Sequence, residues 1–247
     1  MDEQKVWDLR AKTFPRYSPG QNNYEAKILE LAHGIGVDFS DKTILDVGCG
    51  AGMYTLRLAK MGQFVTALDI SKEMIAINEK DAQREKITNI EYLNIDWLNF
   101  EPKRSYDIVF CAMTPAVKSV EGKFKLLTFP KAQVVYVGYS KPMNNRVLNA
   151  FSEEFGLELK PSGLSEQLKM FLEVKCVKFK TAQLSGRWDL THSRDDFIVN
   201  LTSMVLFHGG SLKNLKLDSF IDKFADITGY YKEIIDYESE IVVWDNI

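Results

Sequence analysis

The sequence predicts an α/β fold in which a mainly parallel sheet carries helices on both faces. Short apolar segments alternate with helical segments over residues 41–140. A turn that nearly lacks side chains, Gly48–Gly52, follows the first apolar segment, and acids end three of these segments, as Asp46, Asp69 and Asp96. Strands that alternate with helices are joined by right-handed crossovers, which align them in parallel. Ligands of such sheets bind at the carboxyl ends of the strands, where these acids fall.

The individual elements follow from the spacing of apolar residues. Helices are predicted near residues 7–14, 24–32, 56–61 and 72–86. Strands are predicted at 44–47, 64–69, 90–95, 106–111 and 133–137. The remaining chain predicts helices near 147–155, 164–172, 197–205 and 220–227, and strands near 174–184 and 240–244. Because no repeat or linker separates two domains, residues 1–247 are expected to form a single domain.

The glycine turn distinguishes between two classes of nucleoside ligand. A dinucleotide fingerprint has the spacing G-x-G-x-x-G and seats a pyrophosphate at the helix that follows. Here the glycines are Gly48, Gly50 and Gly52, and Met53 occupies the third dinucleotide position. Asp46, just before the turn, would repel a pyrophosphate and attract a cation. S-adenosylmethionine fits, since it has a ribose, an adenine, an ammonium and a sulfonium but no phosphate; a plain strand-to-helix connection is the alternative.

Composition restricts the partners of the chain. Its 247 residues have a formal net charge of −3 and a pI of about 5.7, so no global basic field attracts nucleic acid or an anionic membrane. No apolar run approaches the ~20 residues that a membrane span requires. The polar start of the chain and three isolated cysteines, Cys49, Cys111 and Cys176, predict a cytoplasmic protein without disulfides or a metal site.

Together these features resemble the class I S-adenosylmethionine-dependent methyltransferases, mainly over residues 40–140. Ile44–Gly52 is similar to the first motif of that family. Asp69 is similar to the acid that ends its second strand, and Asp96-Trp97 to its third-strand motif. The resemblance therefore implies S-adenosylmethionine as the cofactor and methyl transfer as the activity.

The resemblance also implies a complete fold. The expected sheet is Rossmann-like and seven-stranded, mostly parallel, with one antiparallel strand near the C-terminus and helices on both faces. Residues 1–40 would form a helical cap, 41–140 the cofactor-binding core, and 186–230 a helical insertion that acts as a lid. A dimer interface would also explain the apolar side chains of this insertion, and ordinary core packing is the default interpretation for most of them, so a monomer and an oligomer are both open.

The same resemblance gives roles to individual residues. Gly48 and Gly50 would let the methionine part of the cofactor lie against the backbone. Asp69 would chelate the two ribose hydroxyls through charge-assisted hydrogen bonds. Asp96 would accept a hydrogen bond from the adenine amine, and Trp97 would contribute its backbone amide, its ring or no contact.

Three apolar residues complete the expected site. Ile70 and Met74 either pack on the faces of the adenine or belong only to the core. Met113 lies in the segment that stands beside the reactive methyl in this family. The full set of expected cofactor-binding residues is Asp46, Gly48, Gly50, Asp69, Ile70, Met74, Asp96, Trp97 and Met113.

The methyl acceptor is predicted to be a small molecule, methylated by in-line displacement. The Asn/Asp-Pro-Pro-aromatic motif of amino-adenine methyltransferases is absent after the fourth strand, which disfavours adenine N6 and glutamine amide acceptors. His192 and His208 could act as a base or be surface or capping residues, so no catalytic residue is assigned.

Three alternative functions stay open. A methyltransferase acting on tRNA, rRNA or protein would use the locally basic segment 118–131. A non-catalytic protein would bind S-adenosylmethionine without turnover. A nicotinamide oxidoreductase is the least compatible with the glycine turn.

Overall fold

A computed structural model describes residues 3–159, 165–213, 215 and 217–246. The helices are α1 (Glu3–Arg10), α2 (Tyr24–Gly34), α3 (Thr55–Met61), α4 (Lys72–Arg84), α5 (Val120–Leu127), α6 (Arg146–Phe155), α7 (Ser165–Val174), α8 (Arg194–Phe207) and α9 (Asp218–Ile221). The strands are β1 (Thr43–Val47), β2 (Phe64–Asp69), β3 (Ile90–Asn94), β4 (Ile108–Ala112), β5 (Gln133–Tyr139), β6 (Asn144–Asn145), β7 (Lys180–His192) and β8 (Tyr231–Asp245).

The chain divides into two compact units. The larger unit comprises Pro15–Ser140, Ser162–Leu184 and Ser239–Ile247. The smaller unit comprises Met1–Phe14, Lys141–Pro161 and Ser185–Glu238. The segment 1–40 is therefore divided, because α1 belongs to the smaller unit and α2 to the larger one.

The sheet of the larger unit has the strand order β3-β2-β1-β4-β5-β8. Strands β1 to β5 pair in parallel, whereas residues 239–245 of β8 pair antiparallel with β5. The prediction of a mostly parallel sheet with one antiparallel C-terminal strand is confirmed. Strand order reverses between β1 and β4, and ligands of open α/β sheets bind at the carboxyl ends of the strands at such a reversal.

Both faces of this sheet are buried. Ile44, Phe110 and Val135 pack on one face, and Leu45 and Val109 pack on the other. Side chains of a strand alternate between faces, so a strand covered on both sides needs apolar residues at every position. This requirement explains why the strands appear in the sequence as continuous apolar runs.

Side chains of α3 and α4 fasten the loop that precedes α2. Arg16 donates two hydrogen bonds to the buried carboxylate of Asp81, at 2.8 and 2.5 Å. Arg57 donates to the carbonyl oxygens of Ser18 and Gly20, at 2.6 and 2.8 Å. The planar guanidinium groups fit these paired acceptors. The loop is thereby held beside the N-terminal ends of α2 and α3.

The smaller unit has its own apolar core and a buried polar network. Its core includes Phe151, Phe197 and Phe220. The carboxylate of Glu233, only 1% exposed, accepts hydrogen bonds from the side-chain amides of Asn145 and Asn200, both at 2.7 Å. A buried carboxylate has to be compensated in this way, because its desolvation is costly.

The C-terminal strands differ from the sequence prediction. The described residues form eight strands instead of seven, because the two-residue β6 also pairs with β8. The strand expected at 174–184 begins only at Lys180, since α7 continues to Val174 and Cys176 has a left-handed φ of +56°. The strand expected at 240–244 begins at Tyr231. Leu164, at the start of the predicted helix 164–172, lies outside the described residues.

The segment 186–230 is helical only in part. Its first residues continue β7 to His192, and α8 and α9 follow. Trp188 lies in this strand and its ring is 4.4 Å from the ring of Tyr237 in β8. Apolar and polar residues alternate from Arg187 to His192, which is the pattern of a strand exposed on one face. The sequence prediction instead grouped these residues with the apolar helical segments that follow. Across the described ranges, no helix is both long and apolar enough to span a bilayer.

Candidate functional site

The turn after β1 has a backbone that requires glycine. Gly48, Gly50 and Gly52 all have left-handed φ values, of +70°, +51° and +88°. A Cβ atom on Gly48 would lie 2.1 Å from Oγ1 of Thr114. Gly48 also donates its backbone N–H to the carbonyl oxygen of Leu68, at 2.8 Å, which ties the turn to β2. The turn is therefore compact, fixed and free of side chains.

A chain of buried hydrogen bonds supports the turn from below. The Tyr92 hydroxyl donates to Oδ1 of Asn78 at 2.9 Å, and Nδ2 of Asn78 donates to Oγ1 of Thr55 at 3.1 Å. The Thr55 hydroxyl donates in turn to Oδ2 of Asp46 at 2.6 Å. These residues belong to β3, α4, α3 and β1, so the chain joins four elements around the turn. A Cβ atom on Gly52 would lie 2.3 Å from Oδ1 of Asn78.

Asp46 is a buried acid with a changed proton affinity. Asp46 is only 2% exposed. Burial raises the pKa of Asp46 to about 7; the hydrogen bond from Thr55 opposes this rise, and the negative charge of Asp69 adds to it. The ionised form is costly here unless a positive charge is nearby. A cationic ligand at the turn would supply that charge.

Asp69, at the end of β2, is held in place by backbone donors. Its Oδ2 accepts the N–H of Gly50 at 2.9 Å, and its Oδ1 accepts the N–H of Ser71 at 2.8 Å. The two backbone bonds therefore fix the orientation of this carboxylate beside the glycine turn.

Asp96 and Trp97 have separate functions in the structure. Oδ1 of Asp96 accepts the N–H of Leu98 at 2.8 Å and caps a short 3-10 helix. The ring of Trp97 stacks between Phe100 and Phe129, at centroid distances of 6.2 and 6.1 Å, and the residue is 1% exposed. The ring of Trp97 therefore belongs to the core and is not available to a ligand. The backbone amide of Trp97 is the remaining group that could contact the cofactor.

The three apolar site residues differ in exposure. Met74 is buried at 1% exposure, whereas Ile70 and Met113 are half-buried. Met113 has a left-handed φ of +52° and donates its N–H to Val137 at 2.8 Å. A non-glycine residue in this conformation is strained, and such strain concentrates at functional sites.

Thr55 and Asn78 support the site and were not among the residues predicted from sequence. Asn78 is a fully buried amide on the face of α4 that also carries Met74 and Ala82. A polar residue at an apolar position of an amphipathic helix is the signal that could have found it. Thr55 offered no such signal, because a threonine at the start of a helix is ordinary.

The histidines contact or cap other parts of the chain. Nε2 of His192 lies 3.0 Å from Oε2 of Glu233 in the smaller unit. His208 follows α8 as its C-terminal capping residue, and Nδ1 of His33 contacts the carbonyl oxygen of Val37 at 3.2 Å. In the ranges that the structure covers, no group of three His, Cys, Asp or Glu residues could hold a metal ion.

Comparison with known proteins relates this sequence to methyltransferases. Residues 44–128 match the model of a methyltransferase domain. The ubiquinone biosynthesis O-methyltransferase of Acinetobacter baumannii is 27% identical over 173 residues, covering 67% of this chain and 70% of that protein. The enzyme of the same name from Serratia proteamaculans is 28% identical over 204 residues, covering 79% of this chain and 78% of its own. These matches support a class I S-adenosylmethionine-dependent methyltransferase.

A solved methyltransferase structure shares the fold. Magnesium protoporphyrin IX methyltransferase from Synechocystis, with bound S-adenosylhomocysteine, superposes with a TM-score of 0.54 at 16% identity, covering 96% of this chain and 94% of that one. The cofactor of this methyltransferase is S-adenosylmethionine. Its own residues fit the cofactor, because the turn excludes a Cβ at Gly48 and two buried acids, Asp46 and Asp69, favour a cation.

We expect Gly48→Ala to disrupt the turn more than Gly50→Ala does. Both residues have left-handed φ values, which cost an alanine about 1–2 kcal/mol. Only at Gly48 would the new Cβ also collide with Thr114, whereas nothing lies within 4 Å at Gly50. Thermal melts and calorimetric titration with S-adenosylhomocysteine should show the larger loss for Gly48→Ala. Equal losses would mean that backbone strain alone, without the collision, sets the requirement for glycine.

Asp46→Asn should change the pH dependence of stability. The pKa of Asp46 is raised to about 7 in the folded protein, so the folded state keeps a proton that the unfolded chain loses near pH ~4. Stability then falls as the pH rises through this window, by at most about 1.4 kcal/mol per pH unit, and levels off above it. Urea unfolding between about pH 4.5 and pH 8 should therefore favour Asp46→Asn increasingly up to neutrality. The exposed control Asp41→Asn should follow the wild type, and parallel profiles for Asp46→Asn would contradict the assignment.

Proposed function

We propose that this methyltransferase transfers the methyl group of S-adenosylmethionine to a small-molecule acceptor by in-line displacement. The observation that carries the proposal is the side-chain-free turn at Gly48–Gly52, flanked by the buried acids Asp46 and Asp69. This arrangement lets a nucleoside approach the backbone and favours a positive charge over a phosphate. The sequence similarity to O-methyltransferases of ubiquinone biosynthesis agrees with a small acceptor.

The proposal gives each residue of the site a contact. Asp69, already oriented by two backbone N–H groups, would bind the ribose hydroxyls, and Asp96 the adenine amine. Gly48 and Gly50 would border the methionine part, with Asp46 beneath it. Ile70, Met74 and the backbone of Trp97 would border the adenine, and Met113 would lie beside the methyl group.

Methyl transfer asks for positioning more than for acid–base chemistry. S-adenosylmethionine supplies an activated methyl group: the acceptor forms its bond to the methyl carbon as the carbon–sulfur bond breaks and its electron pair stays on sulfur. The chain has to hold the two reactants in line and exclude water. The rigid turn and the strained backbone at Met113 suit that task, because a fixed backbone loses little entropy when a ligand binds.

The hydrogen bonds of two lysines in the basic segment 118–131 disfavour a nucleic-acid acceptor. Nζ of Lys123 donates to the carbonyl oxygen of Lys118 at 2.8 Å, and Nζ of Lys125 donates to that of Leu98 at 3.1 Å. Burial lowers the pKa of both lysines, Lys123 and Lys125. Cations that satisfy backbone carbonyls within the chain are less available to phosphates.

A turnover assay and a binding measurement with S-adenosylmethionine test the proposal at different levels. Formation of S-adenosylhomocysteine should be detected when the protein is incubated with S-adenosylmethionine and fractions of small metabolites, but not with tRNA or rRNA. Turnover only with RNA would favour the macromolecular alternative. Binding of S-adenosylmethionine without turnover on any fraction would favour a non-catalytic protein.

Asp69→Ala should weaken the binding of S-adenosylmethionine by about 10- to 100-fold, because hydrogen bonds to a charged group are lost. Isothermal titration calorimetry measures the change directly. Asp38→Ala removes an exposed carboxylate instead and should leave the affinity unchanged. If Asp69→Ala binds as tightly as the wild type, the ribose is held by another group.

A further inference from the structure

Thr114, two residues beyond β4, packs against the glycine turn. The residue is 7% exposed. A Cβ atom on Gly48 would lie 2.1 Å from Oγ1 of Thr114, 2.6 Å from its Cβ and 3.2 Å from its Cγ2. The Thr114 side chain therefore lies directly against the Cα of Gly48. Gly48 follows β1 and Thr114 follows β4, so this contact spans the reversal of strand order at which ligands of open α/β sheets bind.

The hydroxyl of Thr114 keeps a donor that the chain does not use. A threonine hydroxyl has one proton to donate and two acceptor positions. Oγ1 of Thr114 accepts the backbone N–H of Ala116 at 3.2 Å and thereby caps the 3-10 helix Pro115–Val117. In the part of the chain that the structure describes, no group accepts the proton of this hydroxyl. A buried donor without an acceptor is costly, and a ligand at the turn can supply the acceptor.

The N–H groups at the start of the turn already have acceptors within the chain. Those of Gly48 and Cys49 donate to the carbonyl oxygen of Leu68, at 2.8 and 3.0 Å. The Gly50 N–H donates to the carboxylate of Asp69 at 2.9 Å. These backbone groups are therefore not available to an anionic part of a ligand, and a side-chain donor has to take their place.

We propose that the Thr114 hydroxyl binds the carboxylate of the methionine part of S-adenosylmethionine. This inference rests on the proposed function, in which Gly48 borders the methionine part, and it adds a residue that recognises that part. The hydroxyl donates its proton to a carboxylate oxygen, while Oγ1 keeps the N–H of Ala116. One polar atom thus joins the segment after β4 to the bound cofactor.

Charge explains why a carboxylate at this turn requires a neutral donor. The methionine part has an ammonium and a carboxylate, and the acids Asp46 and Asp69 favour the first and repel the second. A hydroxyl offsets part of this repulsion, because a hydrogen bond to a charged acceptor is roughly twice as strong as one between neutral groups. A lysine in place of Thr114 would bind the carboxylate but would also repel the ammonium and the sulfonium.

A second buried hydroxyl, that of Tyr54, is the competing donor. It directly follows the glycine turn and has no hydrogen-bond partner among the described residues. Its ring packs on Phe110 of β4 at a centroid distance of 5.1 Å. The three atoms nearest to a Cβ atom on Gly48 all belong to Thr114, and this contact favours Thr114 as the group that meets the methionine part.

The binding of two probes to the full chain tests the inference. S-adenosylhomocysteine has the carboxylate, whereas its decarboxylated analogue keeps the adenosine, the thioether and the amine but lacks it. Thr114→Val preserves the shape of the side chain without the hydroxyl. By isothermal titration calorimetry, we expect Thr114→Val to weaken S-adenosylhomocysteine binding by about tenfold or more, as for one hydrogen bond to a charged group. The affinity for the analogue should stay unchanged.

Three further variants separate binding from capping. Thr114→Ser keeps the hydroxyl and should bind both probes as the wild type does. Ser119→Ala removes a hydroxyl that caps α5 through the N–H of Gly122, at 2.9 Å. This loss of a cap should lower the thermal midpoint and leave both affinities unchanged. Tyr54→Phe should preserve the difference between the two probes.

Threonine-methyl NMR of the wild type tests the same contact if Thr114→Val does not fold. Thr114→Ser lacks the Cγ2 methyl and so identifies the Thr114 resonance. We expect this resonance to differ between the complexes with S-adenosylhomocysteine and with the analogue, because only the first ligand has the carboxylate. The methyl resonance of the exposed Thr128 should be the same in both complexes. Identical Thr114 resonances would overturn the inference.

The calorimetric outcomes are each decisive. Equal weakening of both probes by Thr114→Val would show that the hydroxyl is structural and would overturn the inference. Unchanged S-adenosylhomocysteine binding in Thr114→Val, or a matching loss in Thr114→Ser, would overturn it as well. A selective loss in Tyr54→Phe instead would assign the carboxylate to Tyr54. Failure of the wild type to bind S-adenosylhomocysteine would contradict the proposed function.

Discussion

The hydrogen bond from Thr55 to Asp46 is the contact on which the site depends. Three glycines in left-handed conformations have no side chains with which to hold their turn. The turn is fixed by bonds to its backbone, from Gly48 to Leu68 and from Gly50 to Asp69. Asn78, in the chain of hydrogen bonds that ends at Asp46, also donates to the carbonyl oxygen of Gly50 at 3.5 Å. Loss of the Thr55 hydroxyl would deprive the buried carboxyl of Asp46 of its side-chain donor, and the neighbouring links of the chain would lose the polarisation that strengthens them.

The same chain of hydrogen bonds includes a carboxyl group, that of Asp46, which is shielded from water. Asp46 is stabilised by one neutral hydroxyl, which is weak compensation for a buried carboxylate. Asp69 stands close enough to raise the pKa of Asp46 further. A cationic ligand at the turn would offset the cost of ionising these acids, whereas a pyrophosphate would add to it. The proposed preference for S-adenosylmethionine over a dinucleotide therefore rests on Asp46 and Asp69.

Much of this site could be predicted from sequence, and the exceptions have physical causes. The strands β1 to β5 were found because a parallel sheet covered on both faces needs unbroken apolar runs. The long strands β7 and β8 carry mixed patterns, and only the backbone of Cys176 shows where α7 gives way to the segment before β7. Trp97 followed the expected acid in sequence, but its ring is captured by Phe100 and Phe129, a long-range contact that no local pattern contains. Asn78 was missed for the same reason, since its partners come from three other elements.

The start of α3 shows how a turn without side chains is joined to the sheet. Thr55 donates its hydroxyl proton to Asp46 of β1, whereas the ring of its neighbour Tyr54 packs on Phe110 of β4 at a centroid distance of 5.1 Å. Two successive residues thus fasten the end of the turn to two adjacent strands. Because strand order reverses between β1 and β4, these contacts hold the turn at the point of the sheet where ligands of open α/β folds bind.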